Sequence, residues 1–264
     1  FNHKIHFFIK KTMYLCIVLY FLRQLGIMKA KDIKNELFVL ANPEKKAILQ
    51  GFFKTGKGEY GEGDRFLGIT VPQLRALVKK TQNLPLNEIK ILIVDEYHEC
   101  RMIGLLFLVA LFEKSKDESL RREIYTTYIQ LVDYINNWDL VDLTAPKIVG
   151  AYLWGENRND LIDFAKSQHL WLQRIAIVAT YYFIKKKEFQ ATLKIASLLQ
   201  HHSHDLIHKA VGWMLREVGK MDFEVEYRYL VENKRYHSMP RTMLRYAIEK
   251  FPEELRQDFL KGRL

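Results

Sequence analysis

From residue 28 onward, apolar positions recur at helical spacing almost without a break. "PEKKAILQGFF" (43–53) opens with Pro43 and the acidic Glu44, a combination suited to a helix start. "DESLRREIYTTYIQLV" (117–132) opens with an aspartate placed to cap the first turn. "CRMIGLLFLVALFEK" (100–114) is apolar nearly all round, which predicts a central, buried helix. No stretch alternates apolar and polar residues between turn signals, so strands are not expected and the fold class is all-α.

The helical segments come in pairs. Pairs begin near residues 96, 134, 170, 205 and 239, a spacing of about 35 that belongs to HEAT or armadillo repeats. A single pair cannot bury its own apolar face, so the pairs are expected to stack as antiparallel HEAT-like units into a curved α-solenoid, with its concave side as the ligand surface. No long linker or low-complexity run divides residues 28–264, which are therefore expected to form one repeat domain.

Residues 1–27 break this pattern. "FNHKIHFFIKK" is basic and "MYLCIVLYFL" is apolar, in the order of a signal peptide but without a small-residue cleavage site. Ten apolar residues are too few to span a membrane, which needs about 20. The segment reads as an N-terminal extension, and no membrane association is expected.

Charge adds less than the total suggests. The chain of 264 residues carries a net +10, but residues 1–31 hold six basic side chains and no acid. Without them, 35 Lys and Arg face 31 Asp and Glu, a net of +4. Nucleic-acid binding must therefore be argued from local patches. Two cysteines, Cys16 and Cys100, make neither a disulfide framework nor a metal quartet, and a reducing compartment, the cytoplasm, is the default.

Several motifs carry candidate chemistry. "GKGEYG" (56–61) satisfies the dinucleotide pattern G-x-G-x-x-G but follows a helix-like segment where a strand is required. It reads as a loop whose Lys54, Lys57, Tyr60 and Arg65 are available to a phosphate backbone. "HHSHDLIH" (201–208) places His204 and His208 at i, i+4, yet no glutamate follows the first histidine and no third ligand is placed, so no metal is expected. In "HDLIHKAVGWMLREVGK", Leu206, Ile207, Ala210, Val211, Met214, Leu215 and Val218 form a core stripe, while Lys209, Gly212, Trp213, Arg216 and Lys220 fall on another face. That face suits a phosphate-tracking surface with one aromatic contact, or a boundary tryptophan covered by the next repeat. "HLWLQRIAIVATYYFIKKKEF" repeats the theme with Trp171 and Arg174 at i, i+3, and residues 164–187 hold five basic side chains, Lys185, Lys186 and Lys187 among them, and no acid.

"INNWDLVDLTAPKIVG" (135–150) puts Trp138 and Asp142 four residues apart, on one face of a helix. Asn136 or Asn137 serves as N-cap, and Asp139 in the first turn is explained by the helix dipole. Asp142 lies past that turn and needs another reason: a structural salt bridge or catalysis.

"NWDLVD", "WLQRIAI" and "KAVGWMLRE", in this order and spacing, resemble the AlkD-type DNA alkylation repair family of HEAT-like DNA glycosylases, and "GDRFLGITVPQLR" and "MPRTMLRYAIEKFP" are similar to further segments of it. The resemblance runs from about Lys29 to the end. It implies that Asp142 is the catalytic aspartate, that Trp138 and Trp213 flank the sugar of the damaged nucleotide, and that Arg174 contacts the DNA backbone. Lys209, Arg216, Lys185, Lys186 and Lys187 are the further DNA-binding candidates. Where some members carry a cleft lysine, this chain has Tyr182. The implied activity is hydrolysis of the N-glycosidic bond of cationic N3- or N7-alkylated purines in double-stranded DNA, without cofactor or metal, by a monomer. The alternative is a non-catalytic HEAT-like scaffold that binds DNA or protein.

Overall fold

The computed structural model describes residues 28–81 and 84–264; residues 1–27, expected to be an extension, lie outside the described residues. Among the described residues the secondary structure is helical, and the β pairing amounts to an isolated bridge between Arg65 and Tyr97. No helix among them is long and apolar enough to cross a membrane. The chain divides into two compact units at Lys114–Ser115.

The first unit contains α1 (Ala30–Leu40), α2 (Pro43–Phe52), α3 (Val71–Lys80), α4 (Leu86–Ile93) and α5 (His98–Lys114). The cap of α2 is Asn42, whose side chain accepts from the Lys45 N–H at 3.0 Å. Helix α5 is buried from His98 through Val109, as its all-round apolar sequence predicts, and α4 packs along it. Buried polar groups on α5 pin the segment that precedes α3. Glu99 accepts backbone N–H bonds from Leu67 (2.8 Å), Gly68 (2.8 Å) and Ile69 (3.1 Å). Asp64 is held by His98 at 3.0 Å and by Arg101. A buried carboxylate is tolerated here because its oxygens are fully engaged.

The second unit carries α6 (Glu118–Gln130), α7 (Trp138–Ala145), a π-helical turn (Pro146–Gly150), α8 (Ala151–Leu153), α9 (Asn159–Lys166), α10 (Leu170–Ala179), α11 (Tyr181–Lys185), α12 (Gln190–Leu199), α13 (Asp205–Met221), α14 (Phe223–Val231), α15 (Arg235–Ser238), α16 (Arg241–Ala247) and α17 (Glu253–Lys261). Asp117 caps α6, accepting from the Ser119 N–H at 2.9 Å. Helices α7, α10, α13 and α16 pack in direct succession as one layer, and α9 packs on α12 in the other. The helices of the first layer begin at 138, 170, 205 and 241, close to the starts read from the repeat spacing. Each supplies an apolar stripe to a continuous core: Leu140 and Val141, Ile175 and Val178, Val211 and Met214, Met243 and Leu244 are all buried.

Two glycines set how closely this layer packs. A Cβ on Gly150 would lie 2.3 Å from the Ala179 carbonyl oxygen and 2.8 Å from Cβ of Tyr182. A Cβ on Gly212 would lie 2.4 Å from the Met243 carbonyl oxygen and 2.5 Å from Cβ of Tyr246. The same contact, glycine against a carbonyl and a tyrosine three residues later, therefore occurs at two helix junctions of the unit.

Candidate functional site

The site begins with the way α7 starts. Asn137, fully buried, caps the helix and accepts from the Trp138 N–H at 2.8 Å. Of the two asparagines read as candidate caps, Asn137 is the one used. The cap fixes the phase of the helix, so Trp138 and Asp142 share a face one turn apart. Asp139 is buried and accepts from the Leu140 N–H at 2.9 Å, which places it in the helix start.

Asp142 meets Arg174 of α10 in a two-point ion pair. Arg174 Nε donates to Oδ1 at 3.0 Å and Nη2 to Oδ2 at 2.8 Å, and Nη1 donates to the Leu206 carbonyl at the start of α13. One guanidinium thus ties three successive helices of the layer together. Its side chain is 5% exposed and that of Asp142 13%, so the carboxylate keeps the more open face of the pair. Burial raises the pKa of Asp142; Arg174 works against that rise by charge and hydrogen bonding, and the nearby Asp139 adds to it.

The backbone beneath Asp142 is also unusual. Pro146, four residues on, lacks the N–H that the Asp142 carbonyl would receive in a regular helix. The chain answers with the wider π turn over Pro146–Gly150. Such turns concentrate at functional sites because they offset one side chain from the helical register.

Trp213 lies on α13, seven residues after Leu206 and about 10 Å further along the axis at the helical rise. It is half-buried; its indole N–H donates to Glu217 Oε1 at 3.2 Å, and the Tyr181 ring sits 6.1 Å away at an interplanar angle of 33°. Trp171, by contrast, is buried in the core.

The cationic candidates are dispersed over the same unit. Lys209 pairs with Asp205 at 2.7 Å. Arg216 is bonded to Glu249 and lies 3.7 Å from Glu217. Lys185 sits 5.0 Å from the centroid of the Tyr181 ring and Lys186 5.7 Å from that of Tyr182, while the exposed Lys187 adopts φ +60°. The contact of Lys186 with the Tyr182 ring face is of the cation–π kind.

Two other motifs resolve into structural roles. In the loop over 56–61, the Gly56 N–H donates to Glu59 at 2.9 Å and the Gly58 N–H to Glu62 at 2.8 Å. The loop's own carboxylates occupy the donors that a nucleotide phosphate would need, and α2 precedes it where a strand would be required. In the histidine run, His204 caps α13 by accepting from the Leu206 N–H at 3.1 Å, His202 accepts from the His204 N–H at 2.9 Å, and His208 reaches the His202 carbonyl. Burial lowers the pKa of His202 and of His204, which keeps their rings neutral and able to accept.

Sequence reasoning missed Glu217, Tyr181 and the π turn. Pro146 was the available signal for the turn, and the W-x-x-x-E spacing of Trp213 and Glu217 for the indole contact.

Comparison with known proteins follows the same lines. The sequence profile of a family described as DNA alkylation repair enzyme matches residues 33–251. Among solved structures, a predicted DNA alkylation repair enzyme from Enterococcus faecalis aligns with a TM-score of 0.64 at 18% identity, covering 81% of this chain and 97% of that one, a likeness of fold. No curated protein matches the chain.

Proposed function

The chain belongs to the DNA alkylation repair enzyme family, and from that premise we propose that it is a DNA glycosylase that releases cationic N3- or N7-alkylated purines from double-stranded DNA. The observation that carries the reading is the two-point Arg174–Asp142 pair one helical turn from Trp138. A partly buried carboxylate held in a fixed direction, one helical turn from a tryptophan, suits a reaction that develops positive charge on a sugar.

An alkylated purine already carries a positive charge. The bond between C1′ and the purine nitrogen breaks with its electron pair going to the base, which leaves neutral. No general acid is needed to protonate it. The sugar becomes oxocarbenium-like, as in glycoside hydrolysis. Asp142 stabilises that cation and orients a water, whose oxygen bonds to C1′ while its proton passes to the carboxylate or to solvent. The faces of Trp138 and Trp213 hold cationic sugar or base, each contributing about 1–2 kcal/mol when desolvated. Arg174 serves Asp142 first: it favours the ionised carboxylate against burial and aims both oxygens. Phosphate tracking then falls to Lys185, Lys186, Lys187, Lys209 and Arg216; Lys209 and Arg216 pair with the exposed Asp205 and Glu249, pairs that phosphate can replace.

The test uses two duplexes that differ in the charge of the lesion. Duplex DNA containing N7-methylguanine should acquire abasic sites on incubation with the protein, and duplex containing hypoxanthine, a neutral base, should be cut poorly. Equal excision of both would show that a general acid assists departure. Binding without abasic sites on either would favour the scaffold reading.

A further inference from the structure

The second candidate tryptophan has a carboxylate attached to its indole. Glu217 follows Trp213 by one helical turn, its side chain is 9% exposed, and Oε1 accepts the indole N–H at 3.2 Å. The same oxygen receives Lys220 Nζ at 2.6 Å, and Arg216 Nε lies 3.7 Å from it. Arg216 also bonds Glu249, and Lys220, whose side chain is 42% exposed, shares the Glu217 oxygen with the indole, which tempers the negative charge at Nε1 without removing it.

That arrangement has two consequences. A hydrogen bond from Nε1 fixes the rotation of the indole about its side-chain torsions, so one face of the ring is presented steadily. The Tyr181 ring lies beside it, centroids 6.1 Å apart and tilted by 33°. Donation of the N–H to an anion also leaves more electron density on the ring, which strengthens its attraction for a cation over its face. A neutral partner at 217 would keep the first effect and lose most of the second.

We propose that Glu217 is a positioning residue that orients Trp213 and enriches its ring face, so that the indole favours a positively charged sugar or base over a neutral one. The inference rests on the excision reading given above and adds a residue to it. Glu217 touches neither substrate nor reacting atoms; it acts through the indole.

The experiment compares the parent with Glu217→Gln and Glu217→Leu in the full chain. Gln keeps an acceptor for the indole and removes the charge; Leu removes both. The first readout is the set of indole N–H signals in a ¹⁵N–¹H spectrum, with the Trp213 signal identified by its loss in Trp213→Phe. That signal should move upfield in Gln and further in Leu. The second readout is excision of N7-methylguanine from duplex DNA. The maximal rate should fall about 3- to 10-fold in Gln and about 10- to 30-fold in Leu, with KM for DNA little changed. Thermal melting of all variants separates these effects from unfolding. An active parent with unchanged maximal rates in both variants overturns the role given to Glu217 while leaving the excision reading intact. An unmoved Trp213 signal overturns it independently of activity. A parent that releases no methylated purine overturns the excision reading and, with it, this role.

Discussion

Asp142 has to meet two demands that burial sets against each other. It must be dry enough for its charge to act strongly on a developing cation, and it must stay ionised. Burial raises its pKa, Asp139 adds to the rise, and Arg174 works against both. The sign of the resulting pH dependence is fixed: the ionised form is the active one, so excision is lost as pH falls through the folded-state pKa. That pKa lies above the ordinary aspartate value of about 3.9. A pH profile of single-turnover excision, on DNA whose uncatalysed depurination has been subtracted, should therefore show its acid limb above that value. A limb at or below the ordinary value would mean that another group limits the rate. Replacing Arg174 removes the opposing charge, so its loss acts on Asp142 as well as on any contact with DNA.

At the scale of elements, the layer of α7, α10, α13 and α16 depends on close approach. Gly212 touches the Met243 carbonyl and Tyr246 with no room for a methyl group, whereas Gly155 has nothing within 4 Å of an added Cβ. Gly212→Ala should destabilise the protein by about 1–3 kcal/mol through overpacking, and Gly155→Ala should be near neutral. Thermal or denaturant melts of the pair check this, and equal melts would show that the two helices can part at no cost. The starts of these helices were legible in the chain because the repeat spacing and the apolar stripes are local. So were Trp138 and Asp142 as a pair, since one helical turn relates them. The partner of Asp142 was not legible: Arg174 is 32 residues away, and only the stacking of α10 on α7 brings it there. The role of the histidine run was equally hidden, because capping depends on where α13 begins in space, not on histidine spacing. The π turn was half-visible, in that Pro146 forbids one hydrogen bond without saying how the chain will compensate.

For the molecule as a whole, family and helical class agree, and the proposed chemistry lies within the second unit. Basic side chains around it carry exchangeable ion pairs, so binding and chemistry are separable in principle: the cations hold phosphate, and Asp142 acts on the sugar. Asp142→Asn keeps the size and one of the two bonds from Arg174 and removes the charge, while Asp139→Asn removes a charge at the helix start. The most direct measurement is the single-turnover rate of N7-methylguanine excision from duplex DNA by the parent and these two variants, each with its DNA affinity determined alongside. Asp142→Asn should bind as tightly as the parent or slightly more so and excise about 10²-fold more slowly or worse, a loss near 3 kcal/mol, while Asp139→Asn stays close to the parent. Excision by Asp142→Asn at the parent rate would contradict the account.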